Sequence, residues 1–183
     1  MAEKVTSMPS TIHLALIHHP NPEAVEFISS RISHVFKIPV KLQHASFDPR
    51  IAFDSRRQQY DSTVLLAELL KEIQNKEDKI IGLTDVDLFI PVLTFVFGEA
   101  QLNGNAAIAS YYRLRNAFYG LPDNPDLVLH RLEKEVIHEM GHTFNLIHCP
   151  NYRCVMQAST SVDEIDLKTG NFCPTCLEKI RQE

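Results

Sequence analysis

Residues 138–149 read HEMGHTFNLIHC: three histidines, a glutamate beside the first and a cysteine directly behind the third. His138 and His142 are four residues apart. On an α-helix that is about 40° of rotation and about 6 Å of rise, so both imidazoles leave one face a turn apart. Two nitrogens so placed reach one tetrahedral ion at about 2.0–2.1 Å. Glu139 stands about 100° round the helix from His138, too far for a third ligand but placed to meet a water held at the metal. His148 is different. On a continuing helix it would point about 240° away from His142, so it joins the others only if the helix stops between them. Asn145 sits where that break is needed, and asparagine is the commonest residue after glycine to take the left-handed conformation that ends helices. The chain then folds back and presents His148 as a third ligand. Three protein ligands with an open fourth position mark a catalytic rather than a structural zinc.

Upstream, the pattern predicts a helix from about Asp126 to Phe144. Leu129, Leu132, Val136, Ile137 and Met140 share one broad face, while His138 and His142 lie opposite with Arg131 and Glu135, as a cleft-lining helix requires. Gly141 inside that helix costs about 1 kcal/mol against alanine, which points to close backbone approach by a neighbouring element.

Downstream, four residues separate Cys149 from Cys154 and two separate Cys173 from Cys176. Two short-spaced pairs joined by a loop form a closed four-cysteine zinc site, structural in kind. Two local disulfides, or a redox dithiol at Cys173 and Cys176, are the alternatives. No cysteine is left over, and residues 1–10 are polar and read as a flexible start without a signal-peptide core. The second pair opens LEKIRQE, a short helix whose N-terminal dipole favours thiolates. Because successive side chains of extended backbone alternate, His148 and Cys149 face two different ions, roughly 10–14 Å apart. Metal at the cysteines then stiffens the peptide that presents His148, and so small a segment needs metal to fold.

The run HExxH-xx-N-xx-H followed by Met156 resembles the metzincin pattern, with Asn145 in place of its glycine. The continuation C-x4-C-x-M-x16-C-x2-C, its first cysteine fused to the third histidine, narrows the resemblance to the archaemetzincins. It covers residues 138–176 specifically. The resemblance implies a metzincin-like fold, peptide-bond hydrolysis, His138, His142 and His148 as zinc ligands, Glu139 as general base, and Met156 as the floor of the site.

The rest of the chain agrees. Thr11–Ile17 reads as a strand, and Asn21-Pro22 caps a helix to about Phe36 with Phe27, Ile28, Ile32 and Val35 inward. Ile38–His44 is a second strand, Tyr60–Gln74 a helix, and Lys79–Thr84 a third strand. This βαβαβ order implies parallel strands with right-handed crossovers. Val92–Gly98 and Ala106–Tyr112 bracket Asn103-Gly104-Asn105, a hairpin signal that makes one strand antiparallel. The expected class is α/β (α+β): a mixed five-stranded twisted sheet with one antiparallel edge strand and the active-site helix. Residues 1–145 form an upper subdomain, and residues 146–183 a small zinc-stapled one. An exposed edge would bind an extended peptide by adding a strand, with Phe97, Gly98, Glu99, Ala100 and Gln101 as the contacts. His13, His18, His19, His34, His44 and His130 read as surface or satisfied residues.

The 183 residues suffice for one domain with a real core, and the hydrophobic fraction of 44% and charged fraction of 22% are ordinary. A net charge of −5 with no basic stripe gives nucleic-acid binding no support, and no apolar run approaches membrane-spanning length. The expectation is a cytoplasmic zinc metallopeptidase with two Zn²⁺ per chain, a peptide substrate, and a monomeric state by default. Tyr111 or Tyr112 is the candidate to help hold the oxyanion. No pro-segment or upstream cysteine offers a latency switch, which favours a narrow cleft or restricted substrate range. The rival readings are a catalytically silent zinc-stabilised binding module and a zinc hydrolase of a non-peptide amide.

Overall fold

The computed structural model describes residues 9–182. Most of the expected flexible start, residues 1–8, lies outside them. Strand β1 (Ile12–Ile17) leads into helix α1 (Pro22–Phe36), whose Asn21 side chain accepts from the Glu23 N–H while Pro22 opens the first turn. Strand β2 (Val40–His44) follows, then two short strands, β3 (Phe53–Asp54) and β4 (Gln59–Asp61). Asp61 caps helix α2 (Ser62–Lys71) by accepting from the Thr63 and Val64 N–H groups. Next come β5 (Lys79–Thr84), β6 (Leu88–Phe89), β7 (Gly98–Ala100) and β8 (Ala106–Ser110). Helix α3 (Pro125–Thr143), with Asn124 as its cap, carries HEMGH, and the short helices α4 (Val162–Leu167) and α5 (Pro174–Gln182) close the chain.

The main sheet runs β2-β1-β5-β8-β7, parallel throughout except for β7, which pairs antiparallel with β8 and forms one edge. Strand alternation divides the core. Leu14, Ile81, Leu83, Ala107 and Ala109 join α1 and α3 on one face, while Ile17, Ile80, Ala106 and Ile108 join α2 on the other. The alanines of β8 let α3 lie close to the sheet. The first face also takes in Leu146, Val155, Met156, Ile165 and Ile180, so the C-terminal segment shares the core of α3 rather than building its own.

Three features depart from the expectations. The run Val92–Gly98 is a strand only at its last residue, with a single bridge from Val96 to Leu88 before it. The guanidinium of Arg57 donates to the Pro91 and Leu93 carbonyls, groups a ladder would otherwise use, and Val92 is 85% exposed. Tyr60 lies in β4 rather than a helix, and β3, β4 and β6 form a small second sheet. The polar side of α3 is not an open wall, because Arg131, Glu133, Glu135 and His138 are all buried. Arg131 donates to both carboxylate oxygens of Asp166 on α4 at 2.8 and 2.6 Å, and Lys168 pairs with Glu135 at 2.9 Å. Among the described residues no helix is long and apolar enough to cross a membrane.

Candidate active site and metal centre

Helix α3 ends at Thr143, and Asn145 takes φ +59°. The Asn145 N–H donates to the His142 carbonyl at 3.0 Å and the Leu146 N–H to the Gly141 carbonyl at 3.1 Å. These bonds satisfy the last turn while the chain reverses beneath it. The reversal delivers His148 beside its two predecessors: its ring centre lies 5.3 Å from that of His138 and 5.1 Å from that of His142. One ring nitrogen from each histidine falls within 4.8 Å of the other two.

Backbone carbonyls orient two of the rings. His138 Nδ1 lies 2.9 Å from the Val155 oxygen and His142 Nδ1 lies 2.7 Å from the Leu146 oxygen. A carbonyl only accepts, so each Nδ1 carries the proton and each Nε2 presents a lone pair. Those Nε2 atoms face one another at 3.1 Å. Burial holds His138 well below the ordinary histidine pKa and His142 below it too, so both are neutral and in the ligating form. Two lone pairs at this distance repel unless a cation lies between them, and two nitrogens on a tetrahedral zinc stand about 3.3 Å apart. The donor set fits the ion.

Glu139 is buried beside this cluster. Burial, then the charge of Glu135, pushes its carboxyl well above the usual carboxylate range, against an opposing pull from Lys168. It lies against Gly98 on β7, where an added Cβ would come within 2.6 Å of Glu139 Cγ and 2.8 Å of its Oε1. Edge strand and glutamate thus bound one cleft of about 650 Å³. Of the five expected contact residues, Phe97, Gly98 and Ala100 line it. Glu99 does not, because alternation turns it away to accept from the Ser62 and Thr63 hydroxyls at 2.6 and 3.0 Å. Gln101 closes the hairpin, its side chain accepting from the Asn105 N–H.

Met156 is fully buried. A Cβ on Gly141 would run into its Sδ and approach Phe172, so that helical glycine is explained by a side chain, not by the neighbouring backbone expected from the sequence. Tyr111 and Tyr112 do not line the cleft. The Tyr111 hydroxyl donates to the His19 carbonyl at 3.2 Å, and Tyr112 packs edge-on against Phe118.

The four cysteines are free thiols with their Sγ atoms within 4.8 Å of one another. Cys149 and Cys173 sulfurs are 3.8 Å apart, the separation of about 3.8 Å that two thiolates adopt on a tetrahedral zinc. Burial works against ionisation of Cys173, but the Cys176 N–H and the neighbouring thiols outweigh it and hold its pKa down to about 7. The Cys149 N–H donates to the Met156 carbonyl at 2.9 Å, closing a loop that carries Cys149, Cys154, Val155 and Met156. Sequence reasoning missed the carbonyls of Leu146 and Val155, which no side-chain pattern encodes. It also missed Ala158, Ser159 and Thr160 in the cleft lining, which lie on a segment without periodicity.

Similar proteins agree with this architecture. The model of Peptidase family M54 matches residues 32–182. An archaemetzincin of Methanocaldococcus jannaschii is 42% identical over 161 residues, 88% of this chain and 87% of that protein. The crystal structure of the Methanopyrus kandleri archaemetzincin superposes with a TM-score of 0.82 at 34% identity, covering 100% of this chain and 98% of the other. A zinc-dependent peptidase of Methanocorpusculum labreanum gives 0.81 at 30% identity over 92% of this chain and 99% of its own. The chain therefore belongs to Peptidase family M54, the archaemetzincin group of zinc metallopeptidases.

Proposed function

We propose that the chain hydrolyses peptide bonds with His138, His142 and His148 holding a catalytic zinc and Glu139 acting as general base. Cys149, Cys154, Cys173 and Cys176 hold a second, structural zinc in this reading. The observation that carries it is the convergence of two Nε2 lone pairs 3.1 Å apart beside a buried carboxylate, in a cleft walled by a sheet edge. Zinc, when bound, supplies Lewis-acid polarisation of the scissile carbonyl and acidifies water. Glu139 takes the proton of the attacking water on a carboxylate oxygen and hands it to the leaving amine nitrogen. Burial makes the carboxylate, once ionised, a stronger proton acceptor. The outer edge of β7 offers unpaired backbone groups to an extended peptide, and Leu93, Leu102 and Ile147 give the cleft an apolar mouth. Free thiols at metal-ligand spacing suit a reducing compartment, so a cytoplasmic setting belongs to the same proposal.

The test compares zinc-loaded wild type with Glu139→Gln on a peptide library. Loss of cleavage by about 10²-fold or more, with zinc content unchanged, is expected. Zinc-loaded wild type without Glu139-dependent cleavage would return the chain to a binding module, and cleavage confined to non-peptide amides would make it a different hydrolase.

A further inference from the structure

Part of the cleft lining carries polarity that neither metal ligation nor proton transfer uses. Glu135, one turn before Glu139 on α3, lines the cleft although it is only 3% exposed. Its Oε1 lies 2.9 Å from Nζ of Lys168, whose side chain is fully buried and also donates to the Gln157 carbonyl at 3.2 Å. The pair lies off hydrogen-bond geometry, so Lys168 holds Oε1 by charge rather than by an aligned bond. Ser159, which also lines the cleft, has a buried hydroxyl without a hydrogen-bond partner. Among the described residues, the buried side-chain atoms without such a partner are Glu135 Oε1, Gln157 Oε1 and Ser159 Oγ. Two of the three border this cleft, and the third belongs to the residue whose carbonyl Lys168 holds. Neighbouring Thr160 is not free in this way, because its hydroxyl donates to Glu164 at 3.0 Å.

Resting on the peptidase reading above, we propose that this part of the cleft is a side-chain pocket selecting a carboxamide, glutamine or asparagine, beside the scissile bond. The amide N–H donates to the Glu135 carboxylate, and the amide oxygen accepts from the Ser159 hydroxyl. Charge decides against the other side chains. The carboxylate of Glu135 is already balanced by Lys168, so a lysine or arginine would be desolvated for little net attraction. A carboxylate would be desolvated beside the same balanced pair with no Lys or Arg among the residues lining the cleft. An apolar side chain would seal the Ser159 hydroxyl away from any partner, a costly state for such a group.

The experiment uses zinc-loaded full-length chain and peptides with Gln, Asn, Leu, Glu or Lys at each of the two positions flanking the cleaved bond. At one position, kcat/KM for Gln or Asn should exceed that for Leu by about tenfold or more, with Glu and Lys below both. In Ser159→Ala the amide-to-leucine ratio should fall towards one. Glu135→Gln alone would strand Lys168, so the pair is replaced together by Glu135→Met with Lys168→Met, a swap that keeps volume and removes both charges. The ratio should fall there too. Cleavage without amide preference, or a preference unchanged in both variants, overturns the pocket while leaving the peptidase reading intact. If no peptide is cut, the peptidase reading is what fails. The pocket is then read by binding of the same peptides, fluorescently labelled, to zinc-loaded Glu139→Gln. Tenfold tighter binding of the amide peptides supports it, and equal binding overturns it.

Discussion

Asn145 and Gly141 are two positions at which a single substitution tests the backbone around the histidine cluster. At φ +59° Asn145 occupies backbone that costs most residues about 1–2 kcal/mol and β-branched residues more. Asn145→Gly should therefore retain stability within about 1 kcal/mol and bind zinc as before, whereas Asn145→Val should lose about 2 kcal/mol in urea denaturation. The valine variant should also bind zinc more weakly, because His148 follows the turn by three residues. Equal zinc affinity in the two variants would show that the turn does not position the third histidine. At Gly141 two effects oppose. Helix propensity alone would make Gly141→Ala stabilising by about 1 kcal/mol. The buried Met156 Sδ and the Phe172 ring occupy the space the methyl needs, and overpacking of that kind costs about 1–3 kcal/mol. The expected outcome is a net loss of about 1 kcal/mol, and any gain in melting temperature would count against the Met156 contact.

At the scale of elements, α3 shows what a sequence pattern conveys and what it does not. Its apolar stripe, its approximate start at Asp126 and its end before Asn145 were legible, because periodicity and an asparagine stop are local signals, whereas the Asn124 cap was not read. Its polar stripe was legible only as polar. That Arg131 and Glu135 are buried depends on α4 and Lys168, and α4 has six residues, too few to show a helical period. The same limit hid β3, β4 and β6, whose two or three residues carry no alternation. The apolar run 92–98 misled for the opposite reason: its composition suits a strand, but Arg57 takes its carbonyls from thirty-odd residues away. The histidine and cysteine clusters needed none of this. Their spacing is a local signal, and the three histidines and the four cysteines each gather within 4.8 Å. A stability test follows from the buried stripe. Asp166→Ala removes the carboxylate that Arg131, 4% exposed, holds at 2.6 Å. Arg131 keeps its bonds to the Leu114 carbonyl and Asn116, and Asp166 is partly exposed, so the loss should fall below that of a fully buried pair, at about 2 kcal/mol. Urea denaturation measures it. A change under about 0.5 kcal/mol would mean that α4 contributes little to holding α3.

Across the whole molecule, the loop from Cys149 to Met156 joins two centres that a simple count would treat as separate. It supplies Cys149 and Cys154 to the cysteine cluster, the Val155 carbonyl to His138 Nδ1, and Met156 to the underside of α3. The Cys149 N–H to Met156 carbonyl bond closes it at 2.9 Å, and the Val155 N–H donates to the Asn171 carbonyl at 3.0 Å, tying it to the segment that leads to Cys173. Disordering the cysteine cluster should therefore loosen the carbonyl that sets the His138 tautomer. Partners of that kind are worth about 10–100-fold in metal affinity. Wild type should carry two zinc ions per chain, and Cys176→Ser one, with the histidine-centred ion bound at least about tenfold more weakly in a competition titration against a chromophoric chelator. Cys176 is chosen because it lies on α5, away from the shared loop, so that the effect must travel through the cluster. The opposite substitution supplies the control. His148→Ala should empty the histidine site while leaving the cysteine-held ion in place, since nothing in that cluster is oriented by His148. Identical histidine-site affinity in wild type and Cys176→Ser would show two independent centres, and the loop would then be a linker rather than a coupling element.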